Sequence, residues 1–136
     1  MKKEYIDHIK GLFPDISFTR EDILKEYGHD ETEDLSFPPH IVLKPTEVDQ
    51  IASIMKYCNQ NKIPVTPAGA RSGLSGGMLP VEGGVLISME KFNKILKIDE
   101  NNHQVTTEPG VITEVLQNTV KEKGLFYPPD PASKGS

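Results

Sequence analysis

The chain has 136 residues, of which 36% are hydrophobic and 26% charged, with a net charge of −5 and a pI near 5.3. That length suits one soluble domain with a core large enough to fold alone. The acidic balance argues against nucleic acid and anionic membrane as partners, since both select basic faces. The N-terminus, MKKEYIDHIKGLF, lacks the apolar centre of a signal peptide, and no apolar run approaches membrane-spanning length. Cys58 is the single cysteine. No internal disulfide can form, and a reducing compartment, the cytoplasm, is favoured. His8, His29, His40 and His103 are scattered without metal-ligand spacing, so no metal site is expected.

In chain order, residues 4–12 and 19–27 have the pattern of short amphipathic helices. Thr19 with Asp22 three residues later resembles a capping box, with Asp in place of the usual Glu. Residues 28–39, GHDETEDLSFPP, read as an acidic, proline-ended linker between an N-terminal helical arm and the main fold. HIVLKP is a short strand closed by Pro45, and Thr46 is placed to cap the helix that follows. Val48, Ile51, Ile54, Met55 and Cys58 fall on one face of that helix and read as packing residues, so Cys58 is expected to be inert. KIPVTP is a second strand. Strand, helix and strand over this length predict a right-handed βαβ unit with a parallel pair. Residues 85–88 form a third strand, and residues 95–99 and 104–109 an antiparallel hairpin around ENNH. Thr113 is placed to cap a helix through residue 123, with Val115, Leu116, Thr119 and Val120 inside and Gly124 at its C′ position.

Between the second and third strands runs PAGARSGLSGGMLPVEGG, which reads as neither helix nor strand. It does not fit G-x-G-x-x-G, because Gly69 is followed two residues later by Arg71, and no Gly-Lys-Ser/Thr follows for a Walker loop. Both of those loops open into a helix whose N-terminus holds the phosphate. Here MLPVEGG and a strand follow instead. Any anion would therefore be held by loop amides alone, in a nest of right- and left-handed residues. Glycine enters the left-handed region freely, which would account for Gly69, Gly73, Gly76 and Gly77. Ser72 and Ser75 add hydroxyl donors. The pattern indicates a backbone that approaches a ligand closely, and leaves open which ligand.

Taken together, PAGARSGLSGG, GGVLISMEKFNKIL, TTEPGVITEVLQ and GLFYPPDPASKGS, in this order and spacing, resemble one family. It is the FAD-binding domain of glycolate oxidase GlcD-type and D-lactate dehydrogenase flavoproteins, in the p-cresol methylhydroxylase and vanillyl-alcohol oxidase superfamily. The resemblance covers residues 38–136. It implies an α+β, PCMH-type fold in two parts: a first subdomain with a parallel βαβ core, residues 38–92, and the beginning of a second, antiparallel one, residues 93–136, after an arm and linker, residues 1–37. In such proteins FAD lies between the two subdomains.

By the same resemblance, Gly69, Ala70, Arg71, Ser72, Gly73, Leu74, Ser75 and Gly76 wrap the pyrophosphate. Pro109 and Gly110 form a turn near the flavin. Pro129, Asp130, Pro131, Ser133, Gly135 and Ser136 belong to a further cofactor-lining segment. Some relatives tether the flavin through a histidine in the glycine loop. RSGLSGG has none, which implies non-covalent FAD.

The chain stops at Ser136, where relatives continue into a second glycine-rich segment. It reads as a gene fragment, an engineered piece or a truncated protein. The implied parent oxidises a small 2-hydroxy acid, such as glycolate or D-lactate. The substrate α-carbon gives a hydride to FAD, and a base outside this chain takes the hydroxyl proton. The chain itself offers no catalytic acid or base, since Asp130 suits a turn better than proton transfer, and alone it is expected to be inactive. The electron acceptor is left open. The parent would be cytoplasmic, with peripheral membrane attachment as an open alternative. The piece alone would expose unpaired strand edges and self-associate. Two other readings stand beside this one: a sugar or alditol oxidase of the same fold, and a non-catalytic phosphate- or nucleotide-binding module.

Overall fold

The computed structural model describes residues 1–136. Its elements are α1 (Lys3–Leu12), a 3-10 turn (Pro14–Ile16), β1 (Ser17–Phe18), α2 (Glu21–Glu26), β2 (Ile41–Leu43), α3 (Val48–Gln60), β3 (Val65–Ala68), β4 (Val85–Ser88), β5 (Ile95–Asp99), β6 (Gln104–Thr107) and α4 (Thr113–Lys121). They form two compact units, Met1–Met89 and Glu90–Ser136.

The first unit is built on a four-stranded sheet in the order β1-β2-β4-β3. β4 pairs parallel with β2 on one side and with β3 on the other, while β1 adds an antiparallel edge. β2 and β3 run parallel, as the βαβ pattern predicts, but they are not neighbours. β4 lies between them, with Val85 opposite both Ile41 and Val65. The reason is in the strands themselves. VLIS of β4 is buried throughout and can use the centre, whereas β3 carries Pro67, which donates no amide and suits an edge.

Alternation sends Ile41, Leu43, Val85 and Ile87 to one face, where they pack with Ile9 of α1, Ile16, and Ile54 and Cys58 of α3. Val42, Leu86 and Ala68 face the other side and pack with Tyr27, Met78 and Leu79. Both faces of the central strands are covered, the expected condition of a parallel sheet. Residues 1–37 belong to this unit: Ile9 is part of its core and β1 is part of its sheet. β1 is too short, at two residues, to leave a sequence signal.

The second unit pairs β5 with β6, antiparallel, with a bulge between Ile95 and Lys97, and follows them with α4. Its buried apolar residues are Phe92, Leu116 and Val120. A cavity of about 370 Å³ opens among Ile98, Val105, Val120, Leu125 and Phe126, and Phe126 is 85% exposed.

Several local expectations change. Thr19 does not cap α2: Arg20 is the N-cap, Asp22 is bonded by Arg20, and Thr19 Oγ1 accepts from Lys10 Nζ at 3.3 Å. Thr46 does not cap α3. Glu47 does, in a capping box with Gln50, whose Oε1 accepts the Glu47 and Thr46 amides at 3.1 and 2.8 Å. Thr113 is the first residue of α4, after Ile112 at the N-cap. Gly124 does end that helix region in a left-handed conformation, φ +72°. Of the α3 face, Ile54 and Cys58 are buried, but Val48 and Met55 are 69% and 45% exposed. On α4, Leu116 and Val120 are buried, whereas Val115 is exposed.

Candidate functional site

The glycine-rich connection leaves β3 at Ala68 and returns to β4 at Val85. β3 ends on Pro67, the last residue of the predicted second strand, and Ala68, predicted as loop. The return half is an anchor: Met78, Leu79 and Pro80 are buried in the core. Gly84 stands at φ +76°, where any side chain is strained and a Cβ would overlap the Pro64 carbonyl. The Gly84 amide donates to His40 Nδ1 at 2.7 Å, and burial pushes the His40 pKa down, so the acceptor nitrogen is kept unprotonated.

The outgoing half is a crest. Gly69, Ala70, Gly73, Leu74 and Ser75 are exposed, and Arg71, Ser72 and Gly76 are half-buried. No amide of residues 69–75 donates to a backbone carbonyl. A run of uncommitted N–H groups on an exposed, glycine-rich crest is the donor set that an oxyanion needs. The conformations differ from the expected ones, however. Only Gly76 among the crest glycines is left-handed, at φ +67°, and Arg71 joins it at φ +61°. Gly69, Gly73 and Gly77 do not take up that region. At Gly73 a Cβ would meet nothing nearer than Asp30 Oδ2 at 3.7 Å, so Gly73 is not conformationally obligatory here.

Arg71 explains its own strain. Its guanidinium donates to the Glu26 carbonyl at 2.7 Å and to Glu26 Oε1 at 2.9 Å, and lies 4.3 Å from the centre of the Tyr27 ring. A partly exposed pair of this kind adds up to about 1 kcal/mol, and its cation–π contact a similar amount, about 0.5–1 kcal/mol. The guanidinium therefore ties the crest to the end of α2.

The stretch read as a linker continues this attachment. Phe37 N–H donates to the Gly28 carbonyl at 2.7 Å, closing residues 28–37 into a compact loop. Glu31 N–H donates to the Gly73 carbonyl at 3.1 Å, and Gly76 N–H donates to Thr32 Oγ1 at 2.8 Å. Sequence reasoning missed Glu26, Asp30, Glu31 and Thr32. The available signal was the Asp-x-Thr pattern at 30–32, which favours a side-chain-stabilised turn.

The remaining predicted site residues lie in the second unit. Pro109 and Gly110 form a turn, with Val111 N–H donating to the Glu108 carbonyl at 3.3 Å and Gly110 N–H to that of Phe92 at 2.7 Å. Pro129, Asp130, Pro131, Ser133, Gly135 and Ser136 run beside the start of α4. Gln117 Nε2 donates to the Pro129 carbonyl at 2.7 Å, and Glu114 N–H to that of Lys134 at 2.8 Å. Asp130 accepts from Lys134 Nζ at 2.8 Å, and that lysine holds its carboxyl below the usual range. An exposed, ionised and ion-paired carboxylate is not suited to proton transfer. No group of three or more His, Cys, Asp and Glu side chains gathers to hold a metal, and no helix is long and apolar enough to cross a membrane.

Comparison with known proteins shows the family. Residues 39–136 match the family model described as FAD binding domain. The chain is 39% identical over 132 residues to a D-lactate dehydrogenase of Anaerostipes hadrus, an alignment covering 96% of this chain and 28% of that protein. It is 41% identical over 107 residues to glycolate oxidase subunit GlcD of Bacillus subtilis (strain 168), covering 79% of this chain and 23% of that protein. Among solved structures, p-cresol methylhydroxylase with substrate bound superposes with a TM-score of 0.76 at 28% identity, over 90% of this chain and 25% of that one. Alkyldihydroxyacetonephosphate synthase gives a TM-score of 0.83 at 18% identity, over 100% of this chain and 30% of that one, a likeness of fold. The chain thus spans less than a third of the length of these relatives. With a matching domain model over 39–136 and an α+β fold shared with PCMH-type proteins, the chain belongs to the FAD-binding-domain family.

Proposed function

We propose that this chain is the first part of a flavoprotein that oxidises a small 2-hydroxy acid, glycolate, D-lactate or a similar acid, and that its share of the work is to bind and orient FAD. The observation that carries the reading is the crest of the β3–β4 loop, exposed, glycine-rich and with uncommitted amides. Its support comes from relatives named D-lactate dehydrogenase and glycolate oxidase subunit GlcD.

FAD, when bound, supplies the acceptor for the two electrons that leave the hydroxy acid. The chain's own residues supply position. Gly69, Ala70, Arg71, Ser72, Gly73, Leu74, Ser75 and Gly76 form the pyrophosphate cradle. Arg71 is a tether of that cradle to Glu26 rather than a free counter-charge. Pro109, Gly110 and the 129–136 segment line the cofactor from the second subdomain. The two subdomains are residues 38–92 and 93–136, and residues 1–37, read from the sequence as arm and linker, pack onto the first. No residue of this chain acts as general acid or base. FAD is non-covalent, because the cradle holds no histidine.

In full-length protein, Gly76→Val should lose at least tenfold in FAD affinity. Valine resists the left-handed region, and its Cβ would press on Leu79 Cδ1 at 3.2 Å. Gly73→Val should weaken FAD less, having neither constraint. Acid precipitation should release all the yellow colour to the supernatant. Turnover of glycolate or D-lactate with an artificial electron acceptor completes the test. Unchanged flavin content in Gly76→Val, colour in the pellet, or no turnover of any 2-hydroxy acid would each overturn the part it reads.

A further inference from the structure

Asp30 is 7% exposed, yet it lies in the acidic stretch that sequence reading treats as a linker. Its Oδ1 accepts the Thr32 amide at 2.9 Å, the turn that fixes the Thr32 side chain. Thr32 Oγ1 in turn accepts the amide of Gly76, the left-handed residue of the crest, at 2.8 Å. The other carboxylate oxygen, Oδ2, is buried and has no hydrogen-bond partner. It faces the crest from below: a Cβ at Gly73 would lie 3.7 Å from it. Buried polar atoms are almost always paired, and an orphan acceptor calls for a donor. The crest above it is rich in donors, with amides at 69–75 that serve no backbone carbonyl and hydroxyls at Ser72 and Ser75.

The sign of the charge decides between two roles. A carboxylate repels a phosphate, so Asp30 is not a direct ligand of one. It can hold the inner side of the loop and leave the outer amides for the anion. We propose that Asp30 and Thr32 are positioning residues of the cofactor loop: Thr32 fixes the Gly76 amide, Asp30 fixes Thr32, and the free Asp30 oxygen receives a crest donor when the cofactor's phosphates bind. This rests on the reading of the crest as the pyrophosphate cradle. The hydroxyl and amide of Thr32, and then the amide of Gly76, hold the Asp30 carboxyl below its ordinary range, so it is ionised at neutral pH and acts as acceptor only.

Three variants of the full-length protein test this, each titrated with FAD and each followed, without FAD, by amide hydrogen exchange of the loop. Thr32→Val removes the acceptor for Gly76 and should speed exchange of that amide and weaken FAD at least tenfold. Thr32→Ser keeps the hydroxyl and should restore both to within about twofold of wild type. Asp30→Asn keeps the turn to Thr32 but replaces an acceptor by a donor beneath the crest. It should leave exchange of the Gly76 amide near wild type while weakening FAD at least fivefold, a split that a purely structural role would not give. Unchanged Gly76 exchange in Thr32→Val would overturn the brace. Faster exchange with unchanged FAD affinity would overturn the positioning role, whereas the cradle reading falls only if Gly76→Val also keeps its FAD. Wild-type FAD affinity in Asp30→Asn would overturn the role of the free oxygen.

Discussion

The two units contain sheets of opposite situation. In the first, β2 and β4 are covered on both faces, by α1 and α3 on one side and by Tyr27, Met78 and Leu79 on the other. In the second, no residue of β5 or β6 is fully buried, and burial is confined to Phe92, Leu116 and Val120. The glycine loop is presented by the first kind of support. Its return half is part of the core, and its crest is held by residues 26–32. A flexible backbone can thus be held in a defined shape when its base and inner side are fixed, which is what close approach to a ligand requires. The 109–110 turn and the 129–136 segment have no comparable base. The turn is held by the Gly110 and Val111 amides on the Phe92 and Glu108 carbonyls, and the segment by the Gln117 side chain, the Glu114 amide and an exposed ion pair.

The contrast predicts where damage will show. The largest effect is expected from Leu86→Ala. Leu86 is fully buried in the central strand, and its truncation should cost about 2–5 kcal/mol, read by urea denaturation. Leu116→Ala in the second unit should cost nearer the low end of that range, about 2 kcal/mol, and Val115→Ala beside it about 0.5 kcal/mol or less. Native-state hydrogen exchange should find the β2 and β4 amides slow and those of β5, β6 and α4 fast. Equal protection in the two units would break the comparison.

The pH response should belong to the first unit. Burial lowers the folded-state pKa of His40 below its ordinary 6.5. On acidification the unfolded chain takes up the proton first, so stability is full above about 6.5 and falls as the pH drops below it. His40→Asn keeps an acceptor near the Nδ1 position and should remove the slope that sets in below about 6.5. A slope that persists in the variant would refute this.

Cys58 gives the smallest effect at neutral pH. Burial pushes its thiol from 9.0 up to about 11. A raised folded pKa means stability that is complete below about 9 and declines as the pH rises towards 11. At neutral pH the thiol should react with a thiol-specific reagent only as the first unit opens. Rapid labelling of the folded chain would contradict its place on the buried face of α3.

The amino-acid sequence by itself determined the four helices, five of the six strands, the hairpin, the parallel strands and the glycine loop. Each of these rests on spacing along the chain, β-branched runs, helical periodicity and turn residues, which is local information. It also carried the family resemblance, because four motifs in fixed order survive without any knowledge of their contacts. Only the tertiary structure decided that β4 lies between β2 and β3, that Val48 and Met55 stay in solvent, and that Arg71, not Gly73, takes up a left-handed conformation. It alone revealed that residues 26–32 brace the crest. These depend on partners some 40 residues apart in sequence, as Gly76 and Thr32 are. Periodicity can say which residues share a face, but not how deeply neighbours cover it. An acidic run reads as solvated linker until the fold brings a donor-rich loop over its one buried carboxylate.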